Sequence, residues 1–102
     1  MDAAFKKKLK SQAHSLKPVI MVGQAGLTDA VLAEIEIALD NHELIKIKIR
    51  AERIERNKIT EQICKSSGAE LIQSIGQISI IYRLKSKKVI WLRVFASILM
   101  MN

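Results

Sequence analysis

The sequence predicts a mixed α/β (α+β) fold in two layers, with helices packed on a four-stranded mixed sheet in the order α-β-α-β-α-β-β. Three observations predict it. Apolar residues recur at steps of three and four in three separate stretches, the period of a helix with one buried face. Between them lie short runs rich in Ile and Val, one of which alternates with Lys and Arg. Gly and Pro fall at the joints of these segments and not inside them.

Residues 2–16 read as the first helix, with Phe5, Leu9, Ala13 and Leu16 on one stripe and Lys6, Lys7, Lys8 and Lys10 off it. Asp2 is placed to cap it. Pro18 ends the pattern and biases Lys17 toward an extended conformation. Val19-Ile20-Met21-Val22 reads as a short buried strand, and Gly23-Gln24-Ala25-Gly26 as the turn after it. The second helix opens on Thr28 as N-cap, with Asp29 in its first turn to complement the helix dipole. Leu27, Val31, Ile35 and Leu39 form its stripe, Leu32 and Ala38 widen it, and the helix ends near Asn41-His42. Residues 43–50 are a strand: Ile45, Ile47 and Ile49 point one way and Lys46, Lys48 and Arg50 the other. That basic row requires a sheet face that is open to solvent or covered along one side only. A third helix runs from about Ile54 to Ser67, with Ile59 and Ile63 inward and Gly68 as its terminal cap. Residues 69–75 and 78–84 form a hairpin around Gly76-Gln77. Its alternation is blurred, because Leu71, Ile72, Ile75, Ile78, Ile80 and Ile81 do not share one phase. Strand–helix–strand units are expected to be right-handed crossovers.

A chain of 102 residues fits one domain with a core that needs no staple. Cys64 is the only cysteine, so disulfide scaffolds are excluded. With two histidines and one cysteine, a four-ligand structural zinc site is excluded too. No signal peptide opens the chain, and the expected compartment is the cytoplasm. The net charge of +7 favours a polyanion, either nucleic acid or an anionic membrane surface. The charge is unevenly spread. Met1–Lys17 carries five lysines and one acid, Leu27–Glu43 five acids and no Lys or Arg, and Arg83–Arg93 five basic residues and no acid. Two basic ends folded to one side would make a patch opposite the acidic helix; otherwise these are separate solvated faces.

The segment Gly23-Gln24-Ala25-Gly26-Leu27-Thr28 leaves a strand and opens a helix. Two glycines two residues apart permit a tight turn with uncovered amides, and the helix N-terminus adds partial positive charge. Such a loop suits close approach of a phosphodiester backbone, as the GXXG loop of KH domains does. It also suits an ordinary turn. A P-loop is excluded because no Lys follows Gly26, and a dinucleotide fingerprint lacks its third glycine. His14, His42, Glu34 and Glu36 form no acid, base and nucleophile set, so no enzyme is expected and no metal or cofactor.

Leu16-Lys17-Pro18-Val19, Gly23 to Thr28, Val31-Leu32-Ala33-Glu34-Ile35 and His42-Glu43-Leu44-Ile45-Lys46-Ile47-Lys48-Ile49 together resemble the YhbY-like family of CRM (chloroplast RNA splicing and ribosome maturation) domains. Ser67-Gly68-Ala69, Ile75-Gly76 and Tyr82-Arg83 fit the same pattern, which spans about residues 5–85. The resemblance implies a fold similar to the C-terminal domain of translation initiation factor three. It implies non-catalytic RNA binding, for stand-alone bacterial members on precursors of the large ribosomal subunit. It places the RNA-contacting loop on Gly23, Gln24, Ala25 and Gly26, and a basic surface on Lys10, Lys17, Lys46 and Lys48, which the helix residues Lys6 and Lys7 extend. The expected partner is large-subunit rRNA or its precursor particles, with ribosomal proteins as further partners and a monomer favoured. Aromatic residues are scarce, so phosphate and shape recognition is expected, with steep salt dependence.

The chain departs from the family at its end. Residues 1–88 are expected to form the domain, and residues 89–102 an apolar tail, too short for a membrane span and broken by Arg93. The tail and the flank Lys85, Lys87 and Lys88 support an alternative, a membrane-surface or protein-interaction module. Deleting residues 89–102 separates the two readings: it spares RNA binding under the first and abolishes liposome or partner binding under the second. A splicing role requires a host with suitable introns.

Overall fold

A computed structural model of the chain describes residues 1–85. The expected tail, the boundary at residue 88 and the flank residues Lys87 and Lys88 lie outside the described residues. The elements are α1 (Ala3–Ala13), β1 (Ile20–Val22), α2 (Asp29–His42), β2 (Leu44–Ile49), α3 (Arg53–Ser67), β3 (Glu70–Ile75) and β4 (Ile78–Tyr82). They follow the expected order.

Side chains and backbone set the helix ends where the sequence places them. The Asp2 carboxylate accepts from Ala4 N at 3.1 Å, and Thr28 Oγ1 accepts from Val31 N at 3.2 Å. Gly68 closes α3 at φ +72°, its N–H donating to the Cys64 carbonyl at 2.9 Å. α1 stops at Ala13, short of the expected Leu16, which stands exposed. Glu43 ends α2 at φ +61°, a conformation costly for a residue with a Cβ. Its carbonyl accepts from Arg83 N and its carboxylate from Lys85 N, both at 2.9 Å.

The sheet order is β1-β2-β4-β3, with β1 and β2 parallel and the other pairs antiparallel. One face carries Ile20, Val22, Ile45, Ile47, Ile49 and Ile81 against Ile35 and Leu39 of α2 and Ile59 and Ile63 of α3. Each fully buried Ile contributes about 2 kcal/mol. The other face packs Leu44, Ile72 and Ile80 against Leu9 and Ala13 of α1. The helices therefore lie on both faces, and α1 adds a partial third layer to the two that were expected. This accounts for the blurred hairpin: Ile80 and Ile81 are both buried, one in each core, and the register of β3 on β4 slips between Leu71 and Gln73.

Two further expectations are corrected. β1 is an edge strand of the described sheet with one buried face, not a buried strand, because no described strand pairs beyond it: Ile20 and Val22 are inside while Val19 and Met21 are exposed. Nor is the acidic helix only a solvated face. Arg83 is 5% exposed, and its Nη1 donates to both Glu36 oxygens (3.0 and 2.9 Å) and to the Ser67 carbonyl (2.7 Å), its Nη2 to Asp40 (2.9 Å). One guanidinium thus ties α2 and the end of α3 to the chain leaving β4.

Candidate nucleic-acid interface

The loop after β1 is a closed turn. Gly26 N donates to the Gly23 carbonyl at 3.0 Å, leaving Gln24 and Ala25 exposed at the tip. Gly26 sits at φ +75°, which a residue with a Cβ adopts only under strain. Gly23 differs: its φ is not positive, and a Cβ built there meets nothing within 4 Å. The chain's own packing gives no reason for a glycine at that position. Asp29 in the first turn of α2 already complements that helix end, so an anion at the loop meets the turn amides and not a bare dipole.

Three structures meet at this rim of the sheet: the loop, the segment Arg50–Arg53 and the hairpin turn. Arg50 N donates to the Val22 carbonyl at 3.0 Å, and Ile49 N to the Gln77 carbonyl at 2.8 Å. Gly76 takes φ +55° while Gln77 does not go positive, the pattern of a type II′ hairpin turn. Lys48, Arg50, Ala51, Glu52 and Gln77 line a shallow cleft here. Among the described residues, no carboxylate lies within 4.0 Å of the cationic groups of Lys46, Lys48, Arg50, Arg53 or Arg56. The rim therefore carries cations that are not tied up in ion pairs among the described residues, with Glu52 the one carboxylate in the cleft's described lining.

The predicted residues divide between two ends of the sheet. Gly23, Gln24, Ala25 and Gly26 share the rim with Lys48, which stands opposite Met21 and Ile78 on the second face. Lys46 stands opposite Ile80, nearer the covered end, and lines a cleft with Gln12, Leu16, Lys17, Val19 and His42. Lys17 precedes β1 and the loop follows it, so the strand separates them. Lys6 and Lys10 lie one turn apart on α1, both half-buried, and Lys7 is exposed. The expected single cradle of helix, loop and lysine strand is thus extended. Lys46 and Lys48 form the row joining its two ends on the part of the second face that α1 leaves open. From Lys46 to Arg50 is about 13 Å along the chain at the strand rise.

The sequence reading runs the strand through Arg50 and leaves that residue out of the site; β2 ends at Ile49, and Arg50 stands just past it, lining the cleft with Lys48. The signal is a basic residue just past a strand, and the bonds from Arg50 N to the Val22 carbonyl and from Ile49 N to the Gln77 carbonyl show that it shares the loop's rim.

Other chemistry is thin. Among the described residues no cluster of His, Cys, Asp and Glu could hold a metal ion, and no helix is long and apolar enough to cross a membrane. The Cys64 thiol is pushed above its ordinary value by burial and then by the Glu70 carboxylate. It is half-buried against the core, as a small apolar residue would be.

Comparison with known proteins gives consistent results. The family described as the CRS1 / YhbY (CRM) domain matches residues 1–83. Over 83 residues the chain is 48% identical to a Pseudomonas aeruginosa protein named "Probable RNA-binding protein", covering 80% of each. Over 76 residues it is 49% identical to a Haemophilus influenzae protein named "RNA-binding protein", covering 74% of this chain and 77% of that one. Among solved structures, the solution structure of the hypothetical protein SAV1595 from Staphylococcus aureus superposes with a TM-score of 0.73 at 28% identity, covering 82% of this chain and 88% of that one.

Proposed function

The chain belongs to the CRS1 / YhbY (CRM) domain family, and from that membership we propose that it binds RNA without catalysis, holding large-subunit rRNA or its precursor particles in the cytoplasm during ribosome assembly. The RNA-binding part of this reading rests on the family and on relatives named RNA-binding proteins. The site rests on one observation: the Gly23–Gly26 turn shares a rim with Lys48 and Arg50, whose cationic groups have no carboxylate within ion-pair distance among the described residues. Turn amides give directional bonds to phosphate oxygens, and the cations supply the field that draws the backbone in. Gly23 lets that backbone come close. The row Lys46–Lys48 and the lysines of α1 extend the contact along the second face. Ribosomal proteins bound to the same RNA are neighbours of this surface.

A salt series on large-subunit rRNA precursor fragments tests the site, comparing the wild type with the double variant Gln24→Asp/Ala25→Asp. Both tip residues are exposed, so the fold survives, as circular dichroism will verify. Two carboxylates at the tip repel phosphate. The expected result is a loss of affinity of about tenfold or more, with a shallower dependence of log K on log salt. A folded variant that binds like the wild type would show that the loop is only a turn.

A further inference from the structure

The polar cleft between the start of α3 and the β3–β4 hairpin borders the rim described above, but the loop site, built on Gly23–Gly26, Lys48 and Arg50, does not use it. It measures about 370 Å³ and is lined by Arg53, Arg56, Asn57, Ser74, Gly76 and Ser79. Three of these side chains are already engaged or lack a donor. Arg56 Nη1 donates to the Ala51 carbonyl at 2.8 Å, Ser79 Oγ shares a hydrogen bond with Thr60 Oγ1 at 2.9 Å, and Gly76 offers only backbone. The other three have no partner among the described residues: Arg53, Asn57 and Ser74 appear in no hydrogen bond or ion pair of their side chains. Arg53 and Asn57 are four residues apart on α3 and so stand on one side of it, while Ser74 faces them from β3 beside Ser79. A guanidinium, an amide and a hydroxyl from two elements border one opening, with no carboxylate in its lining among the described residues. Glu52 lines the neighbouring cleft with Lys48 and Arg50, and its side chain caps no amide of α3. Glu55 is the acid in that helix's first turn.

We propose that this cleft is a second phosphate site and that, given the RNA binding argued above, the protein grips double-helical RNA by both backbones, one at the Gly23–Gly26 loop and the other here. The loop follows β1 and the cleft adjoins β3, at opposite sides of a sheet ordered β1-β2-β4-β3. Three strand spacings separate them by about 14 Å. Arg50 lies on the rim between. Among the described residues, no aromatic side chain lines either cleft of this rim. Phe5 and Tyr82 meet edge to face at 5.6 Å at the other end of the strands, where Tyr82 pairs with Leu44 and Glu70. A splayed single strand needs stacking platforms, whereas an A-form duplex is held through phosphates and 2′-hydroxyls on two backbones. Donors without aromatics, set in two places a sheet's width apart, match the duplex.

The test is fluorescence anisotropy with an RNA duplex of about 20 base pairs and with one of its strands alone, chosen to be unstructured. Wild type, Arg53→Gln and the loop double variant are compared on both. The wild type is expected to prefer the duplex. Arg53→Gln, at an exposed position that folding does not need, should lose about tenfold on the duplex and stay within about twofold on the single strand. Asn57→Ala should act in the same direction with a smaller loss. Equal losses on both RNAs, no loss on either, or a wild-type preference for the single strand would overturn the second site. If the loop variant loses binding while Arg53→Gln keeps it, the proposed function stands and the two-backbone grip falls. A wild type that binds neither RNA removes both.

Discussion

Gly23 and Gly26 are indistinguishable in the sequence and differ in the structure. Gly26 needs its φ of +75°; Gly23 has an ordinary backbone and open space around it. Gly26→Ala should therefore cost about 1 kcal/mol in urea unfolding, through backbone strain. Gly23→Ala should leave stability within about 0.5 kcal/mol of wild type, yet weaken RNA binding in anisotropy, because a methyl group stands where the phosphate must approach. Equal destabilisation by both would mean that the fold, and not a ligand, requires the first glycine. The pair was legible as a loop; which glycine serves the turn was not, since that depends on the turn's dihedral angles. Charge was legible in the same partial way. Arg83 counts as one of the basic residues near the end of the sequence, but its charge is spent inside the protein on Glu36 and Asp40.

At the scale of elements, the periodic signals located the seven described helices and strands to within a few residues, because caps and breakers act locally. Thr28 and Gly68 did what their types predict. What local pattern could not supply was the side of the sheet on which each helix lands. An amphipathic stripe shows that a helix buries a face, not against which layer. α1 lies across from α2 and α3, and only the burial of both Ile80 and Ile81 hinted at a second core. That smaller core depends on few side chains. Leu9 is 4% exposed at its centre, so Leu9→Ala should lower the unfolding free energy by about 3 kcal/mol. A change below about 1 kcal/mol in urea titrations would mean that α1 is only loosely docked. The same placement leaves Lys46 and Lys48 at the margin of the covered area, which resolves the outward row of the sequence: the face is covered along one side only.

Across the described residues, charge divides only in part by layer, because the acidic α2 shares its side of the sheet with α3, which carries Arg53, Arg56, Lys58 and Lys65 against Glu55 and Glu61. The acidic α2 sits on one side of the sheet; α1 and the Lys46–Lys48 row sit on the other. Arg83 links the layers, reaching across 47 and 43 residues of sequence to Glu36 and Asp40. No local rule predicts a pairing over that separation. Arg83→Met removes a buried cation with four hydrogen bonds and should cost about 2–4 kcal/mol by urea unfolding, with Glu36 and Asp40 exposed enough for water to take up part of the loss. RNA affinity at a temperature where the variant stays folded should be unchanged, since this guanidinium faces inward. A loss of affinity in the folded variant would place Arg83 in the interface instead.

The shortness of β1 has a kinetic consequence. It holds three residues, pairs among the described strands with β2 alone and carries the loop at its exit. The amide protons of such a strand exchange with solvent by opening that leaves the rest of the sheet intact, at a free energy below that of global unfolding. An RNA that engages the loop only in its closed form suppresses this opening. Part of the binding energy then goes into ordering the strand, and the affinity of the folded protein becomes sensitive to how firmly Ile20 and Val22 hold to β2.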